Sequence, residues 1–202
     1  MQTPIFTSEQ APTAFSKFSL AVLHALGWKL HYNGLPAARG VMIFYPHTTN
    51  WDFFYGMLAK WAITFPLKFL VKEKLFQGVT GFFIGRFVRY CGGEPIERGV
   101  SSGAIPKLAE RMQQSKWFWL AITPEGTRSH TPYWRSGFYH IALTAKVPLV
   151  CAYIDYAKKE IGIYQPLELT GDEVADLAQI REVYQQSQGK YPDQQGTIAF
   201  RQ

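Results

Sequence analysis

The chain has 202 residues, 47% of them apolar and 18% charged, which suits one globular domain with a sizeable core and excludes a disordered chain. Its formal net charge of +6 is regional: from Lys60 to Lys116 ten Lys or Arg stand against four acids, and the flanking stretches are nearly neutral. Such a region is either an ordinary solvated face or an attractor for anionic lipid head groups, phosphorylated substrates or an acidic carrier protein. Nucleic acid is disfavoured, because there is no zinc-finger spacing, no RNA-binding aromatic signature and no basic run.

Residues 1–11 read as a polar lead, with no basic segment followed by a cleavable apolar core. Residues 14–26 then predict an amphipathic helix, with Phe15, Phe18, Val22 and Leu26 on one side and Ser16, Lys17 and His24 on the other. Leu20 falls on the polar side. Its polar residues keep this segment short of the roughly 20 apolar residues a spanning helix needs. It therefore packs on its own domain, lies at a membrane interface, or does both.

Strands are predicted at 28–32 and 41–45, the second a continuous apolar run as expected for a strand buried on both faces. A helix over 50–63 follows, with Asn50 as N-cap, then a strand at 67–71 and a helix over 79–90 despite Gly81 and Gly85. Next come a short strand at 94–97, a helix at 104–114 and an apolar strand at 117–122 entering a Pro124-Glu125-Gly126 turn. A helix over 137–145, strands at 149–153 and 161–164, and an acidic helix over 172–185 precede a polar tail. Apolar strands alternating with helices predict a single α/β layered domain with a largely parallel central sheet over 28–202, preceded by the lead and helix of 1–27. Cys91 and Cys151 lack metal-ligand or disulfide spacing and read as buried thiols in a reducing compartment.

Two motifs carry chemistry. On a helix, His47 and Asp52 would point about 140° apart. However, Pro46 discourages helix at Tyr45, so His47 falls in the loop after a buried strand and Asp52 in the first helical turn. From there the carboxylate can reach back to one imidazole nitrogen and leave the other free to take a proton. A structural histidine or a turn-capping pair is the alternative. Glu125-Gly126-Thr127-Arg128 also follows an apolar strand. Gly126 permits close approach, Thr127 and nearby amides can donate, and Arg128 can grip a phosphate with two parallel bonds. The alternative is a turn closed by a Glu125–Arg128 ion pair. Gly92-Gly93-Glu94-Pro95-Ile96-Glu97-Arg98 supplies a further arginine after a glycine pair, and Val147-Pro148 opens a strand.

In order and approximate spacing, these segments resemble the four motif blocks of the glycerolipid acyltransferases, the lysophosphatidate acyltransferase superfamily. Lys72-Glu73-Lys74-Leu75 is similar to the Lys- and Glu-containing segment between the first two blocks, and the likeness covers residues 28–155. The first block departs from the family pattern in having Pro46 where Asn is usual and Thr49 in place of Ser.

The resemblance implies an O-acyltransferase with His47 as general base, oriented by Asp52, and an acceptor phosphate site bound or shaped by Arg98, Glu125, Gly126, Thr127 and Arg128. An acyl-CoA or acyl-ACP thioester would be co-substrate, with no bound cofactor, no metal and no covalent acyl-enzyme. The Val147-Pro148 block is usually credited with structure or with accommodating the acyl donor. The expected partners are a lipid or lysolipid acceptor, the thioester donor, possibly presented by a carrier protein, and the inner face of the cell membrane, where the protein would be peripheral and cytoplasmic. Alternatives are a lyso-aminolipid acceptor, a thioester hydrolase, or a non-catalytic lipid- or acyl-carrier-binding protein.

Overall fold

The computed structural model describes residues 12–72, 76–78, 81–96 and 104–201. The polar lead at 1–11, Glu73-Lys74-Leu75, Val79, Glu97 and Arg98 lie outside the described residues. Strand β2 (Arg39–Tyr45) is central, paired in parallel with β5 (Phe118–Ile122) on one side and β6 (Leu149–Asp155) on the other. Strands β3 (Leu67–Lys72) and β4 (Gly93–Ile96) extend the sheet in parallel beyond β5. Beyond β6 come β7 (Glu160–Ile163), antiparallel to it, and β1 (Lys29–His31), parallel to β7. Among the described residues this gives a seven-stranded order β1-β7-β6-β2-β5-β3-β4, the largely parallel α/β sheet the sequence predicts.

Period-two alternation explains why β2 reads as an unbroken apolar run. Val41 and Ile43 face one layer, packing with Met112, Phe138 and Ile180, while Met42 faces the other with Phe65, Trp119 and Val150. The first layer holds α4 (Ala104–Gln114), α5 (Gly137–Ala145) and α6 (Glu173–Tyr184). The second holds α1 (Ala14–Ala25) and α2 (Trp51–Ala62), where Leu23 and Leu58 cluster with Trp28 and Ile154. The helix α3 (Arg86–Tyr90) is preceded by five residues in π spacing, Gly81–Gly85, which begin and end on the two glycines noted above.

Helix α1 corrects the predicted orientation. Ser16 and Ser19 are buried, whereas Phe15 and Phe18 are 54% and 62% exposed. The serines can face inward because their polar atoms are satisfied within the helix. Ser16 closes a capping box with Thr13, and the Ser19 hydroxyl donates to the Phe15 carbonyl at 2.9 Å. Their small volume then allows α1 to approach α2 closely. Lys17 and His24 are exposed, as predicted.

The polar tail is also revised. After α6 the chain crosses back over the carboxyl edge of the sheet, with a short 3-10 turn at Pro192–Gln194. It is pinned by backbone bonds from Tyr156 N to Gln188 O (2.8 Å), Thr197 N to Thr131 O (2.9 Å) and Trp134 N to Ala199 O (2.7 Å). Hydropathy misses this segment because it is held mainly through its backbone, with few buried apolar side chains.

Because α1 rests on α2 through serines, Ser19→Leu is expected to destabilise the protein by about 1–3 kcal/mol through overpacking, even though it makes the helix more apolar. A lowered denaturant midpoint checks this; an unchanged or raised midpoint would show that the interface has room.

Candidate active site

Three neighbouring parallel strands deliver the site. In β2 and β5, Ile43 pairs with Ile122; in β2 and β6, Tyr45 pairs with Tyr153. The chain therefore leaves all three strands at the same edge, carrying His47, Glu125 and Tyr156 in the segments that follow. Carboxyl edges of parallel sheets are where such folds assemble ligand sites.

The His47 imidazole Nδ1 lies 3.1 Å from Asp52 Oδ2. Asp52 is in the first turn of α2 and only 2% exposed. Its Oδ2 also accepts the backbone N–H groups of Thr48 (2.8 Å) and Thr49 (2.9 Å), and its Oδ1 accepts the Tyr156 hydroxyl at 2.7 Å. These two N–H groups precede the helix, so Asp52 closes the His47 loop and does not cap the helix; Asn50 occupies the N-cap position, as predicted, but without the side-chain bond foreseen for it. With Nδ1–H donated to Asp52, imidazole Nε2 keeps its lone pair and can accept a proton.

Glu125 ties the second motif to the first. Its Oε2 accepts the His47 N–H and its Oε1 accepts the Gly196 N–H, each at 2.7 Å. It forms no ion pair with Arg128 among the described residues, so the alternative of a turn closed by that pair does not hold. Burial pushes its carboxyl up to about 7; the two N–H bonds pull the other way, and nearby Asp52 adds to the rise.

Gly126 adopts φ +63°, and a Cβ there would come within 2.6 Å of Arg135 Nε. Only glycine lets the guanidinium lie over this turn. Thr127 is exposed, its hydroxyl accepting from Ser129 N at 3.3 Å. Arg128 and Arg135 are exposed, and among the described residues neither guanidinium has an ion-pair or hydrogen-bond partner. Two free guanidiniums beside a glycine turn can hold an oxyanion such as a phosphate.

The C-terminal segment closes over both loops. Tyr191 N donates to Thr48 Oγ1 at 3.3 Å. With its amide turned to present Nε2, Gln194 donates to the carbonyls of Arg128 (2.9 Å) and Thr48 (3.2 Å). Lys190 Nζ sits 5.6 Å from the Trp51 ring.

The predicted His47, Asp52, Glu125, Gly126, Thr127 and Arg128 therefore come together, with Glu125 shaping the loop and not facing outward as a ligand. Arg98 lies outside the described residues. Val147-Pro148 does not join the site. It precedes β6 at the opposite edge of the sheet, a seven-residue strand or about 20 Å away. Sequence reading missed Arg135, Tyr156 and Gly196. The signal for Tyr156 was its place directly after a buried strand; Arg135 and Gly196 had none. Both cysteines are buried, and Cys151 is pushed up to about 12 by burial, which leaves it a poor nucleophile.

The acyltransferase family profile matches residues 29–155. Among solved structures, the chain is similar to the 1-acyl-sn-glycerophosphate (LPA) acyltransferase PlsC from Thermotoga maritima, at 19% identity with a TM-score of 0.56. That match covers 84% of this chain and 74% of the other. No curated protein matches the chain.

Because the Glu125 carboxyl is raised from 4.5 to about 7, the folded state holds a proton that the unfolded state has lost within that window. Its contribution to stability is complete below about pH 4.5 and is lost as pH rises through 7, at no more than about 1.4 kcal/mol per pH unit. Glu125→Gln is expected to remove this slope from denaturant midpoints measured between about pH 5 and 7. An identical slope in the variant would assign it to another group.

Proposed function

The chain belongs to the acyltransferase family, and from that premise we propose that it moves a fatty acyl group from an acyl thioester to a hydroxyl of a lipid-like, phosphorylated acceptor such as a lysophospholipid. The observation that carries this reading is the His47–Asp52 contact of 3.1 Å beside two unpaired arginines. One imidazole nitrogen fixed by a buried carboxylate with the other left to accept a proton is the arrangement a general base needs, and a pure binder has no need of an oriented base.

In this reading His47 Nε2 takes the proton from the acceptor hydroxyl as its oxygen attacks the thioester carbonyl. The new C–O bond forms, the C–S bond breaks, and the proton on the imidazole passes to the departing thiolate. Asp52 stabilises the imidazolium between these steps. Arg128 and Arg135, with Arg98, hold the phosphate and so fix the hydroxyl near the base. The basic excess between Lys60 and Lys116 suits an acidic donor, either the phosphates of coenzyme A or an acyl carrier protein.

Among the described residues, no helix is long and apolar enough to cross a membrane. We place the protein peripherally on the inner membrane face, docked through the outward rings of α1 and α2. Phe15 and Phe18 are exposed there, as are Trp51, Phe53 and Phe54, next in sequence to Asp52.

The testing experiment follows thiol release from long-chain acyl-CoA and acyl carrier protein donors with lysolipids and glycerol phosphates. Acceptor-dependent release is expected, and His47→Ala should lower it at least about 100-fold with the fold intact. Turnover that survives this change, or release without an acceptor, would overturn the transferase mechanism. Arg128→Ala is expected to raise KM for a phosphorylated acceptor about tenfold, with little effect on an uncharged one. Equal loss with both acceptors would count against a phosphate role.

A further inference from the structure

We propose that Tyr156 is a positioning residue whose hydroxyl fixes the Asp52 carboxylate and, through it, the His47 imidazole, an inference that rests on the acyl-transfer reading above. The Asp52 side chain divides its contacts in two. Oδ2 serves His47 Nδ1 and two backbone N–H groups, while Oδ1 has the Tyr156 hydroxyl at 2.7 Å. Without the phenol, one oxygen of a 2% exposed carboxylate would lose its protein donor, and the group could turn about its terminal torsion.

Tyr156 is itself held firmly. It follows β6 directly, and β6 is hydrogen-bonded to β2, the strand that leads into the His47 loop. Its N–H donates to Gln188 O at 2.8 Å, and its ring stands edge-on to Trp28 at 5.0 Å and to Tyr55 at 6.1 Å. Burial, then the Asp52 bond, hold its hydroxyl well above the usual phenol range, so it remains a donor throughout the working pH range. It also follows the family-matched segment, which ends at residue 155. The titratable groups around the pair are His47, Tyr55, Glu125 and, from the C-terminal segment, Tyr191.

A hydrogen bond to Oδ1 spreads the charge of the carboxylate. Removing it concentrates that charge beside the imidazole and favours imidazolium, so His47 keeps its proton to higher pH.

The test is Tyr156→Phe in the full chain, which keeps the ring and its contacts. Turnover is expected to fall about tenfold, with KM for donor and acceptor within about twofold. The acid limb of the kcat/KM profile should move to higher pH, and an NMR titration of the His47 imidazole should move with it. Unchanged turnover with an unmoved imidazole titration would overturn the proposal. So would a loss of activity that matches a loss of fold while the titration stays put. If wild type turns over no acceptor, the acyl-transfer reading fails, yet the imidazole titration still decides what Tyr156 does to His47.

Discussion

Because β6, β2 and β5 run parallel and are hydrogen-bonded neighbours, the segments leaving their carboxyl ends emerge within about two strand spacings, roughly 10 Å, of one another. Tyr156, His47 and Glu125 are far apart in sequence, yet this pairing leaves them nowhere else to go. A one-residue slip of β6 against β2 would turn Leu149 and Cys151 out of their layer and displace Tyr156 from Asp52. The site therefore inherits its precision from the core, since the register that buries Val41, Ile43, Leu149 and Cys151 also sets the distance between imidazole, carboxylate and phenol.

Two buried carboxylates then divide the work. Asp52 accepts four donors and orients a side chain. Glu125 accepts two backbone N–H groups and joins loops, stitching the His47 loop to Gly196. Charge this deeply buried is costly unless donors offset it. Asp52 has four, whereas Glu125 has two and burial pushes its carboxyl up to about 7, so the contacts that fix the geometry satisfy the first carboxylate far better than the second. Arg128 and Arg135 are the opposite case: exposed cations without an ion-pair or hydrogen-bond partner among the described residues, held in place by the turn and not by a counter-charge.

What the sequence disclosed follows the range of each interaction. Strands 41–45 and 149–153 were legible from apolar runs. The His47–Asp52 reach was legible because Pro46 and the helix start fix a geometry five residues long. Tyr156 stood directly after a buried strand, but its partner was hidden, since its bond to Asp52 spans 104 residues and depends on strand pairing that composition does not encode. Arg135 over Gly126 was hidden likewise, because nothing in Trp134-Arg135-Ser136 shows where the turn nine residues earlier will lie. The serine face of α1 misled for another reason. Periodicity weighs side chains by hydropathy, whereas close helix packing weighs them by size.

The C-terminal segment connects these threads. It lies beyond residues 29–155, the stretch that carries the family likeness, yet it touches both motif loops and backs the residue that holds Asp52. Its approach is close: a Cβ at Gly189 would stand 2.9 Å from Thr48 Oγ1 and 3.2 Å from Pro46 Cβ. A compact, apolar ring at position 46 leaves no side-chain donor or acceptor stranded under that contact. The Pro46 departure is thus consistent with a first loop that is covered from the C-terminal side instead of open to water. In such a loop the His47 ring is held by Asp52, which Tyr156 bonds in turn, and the residue before His47 serves packing.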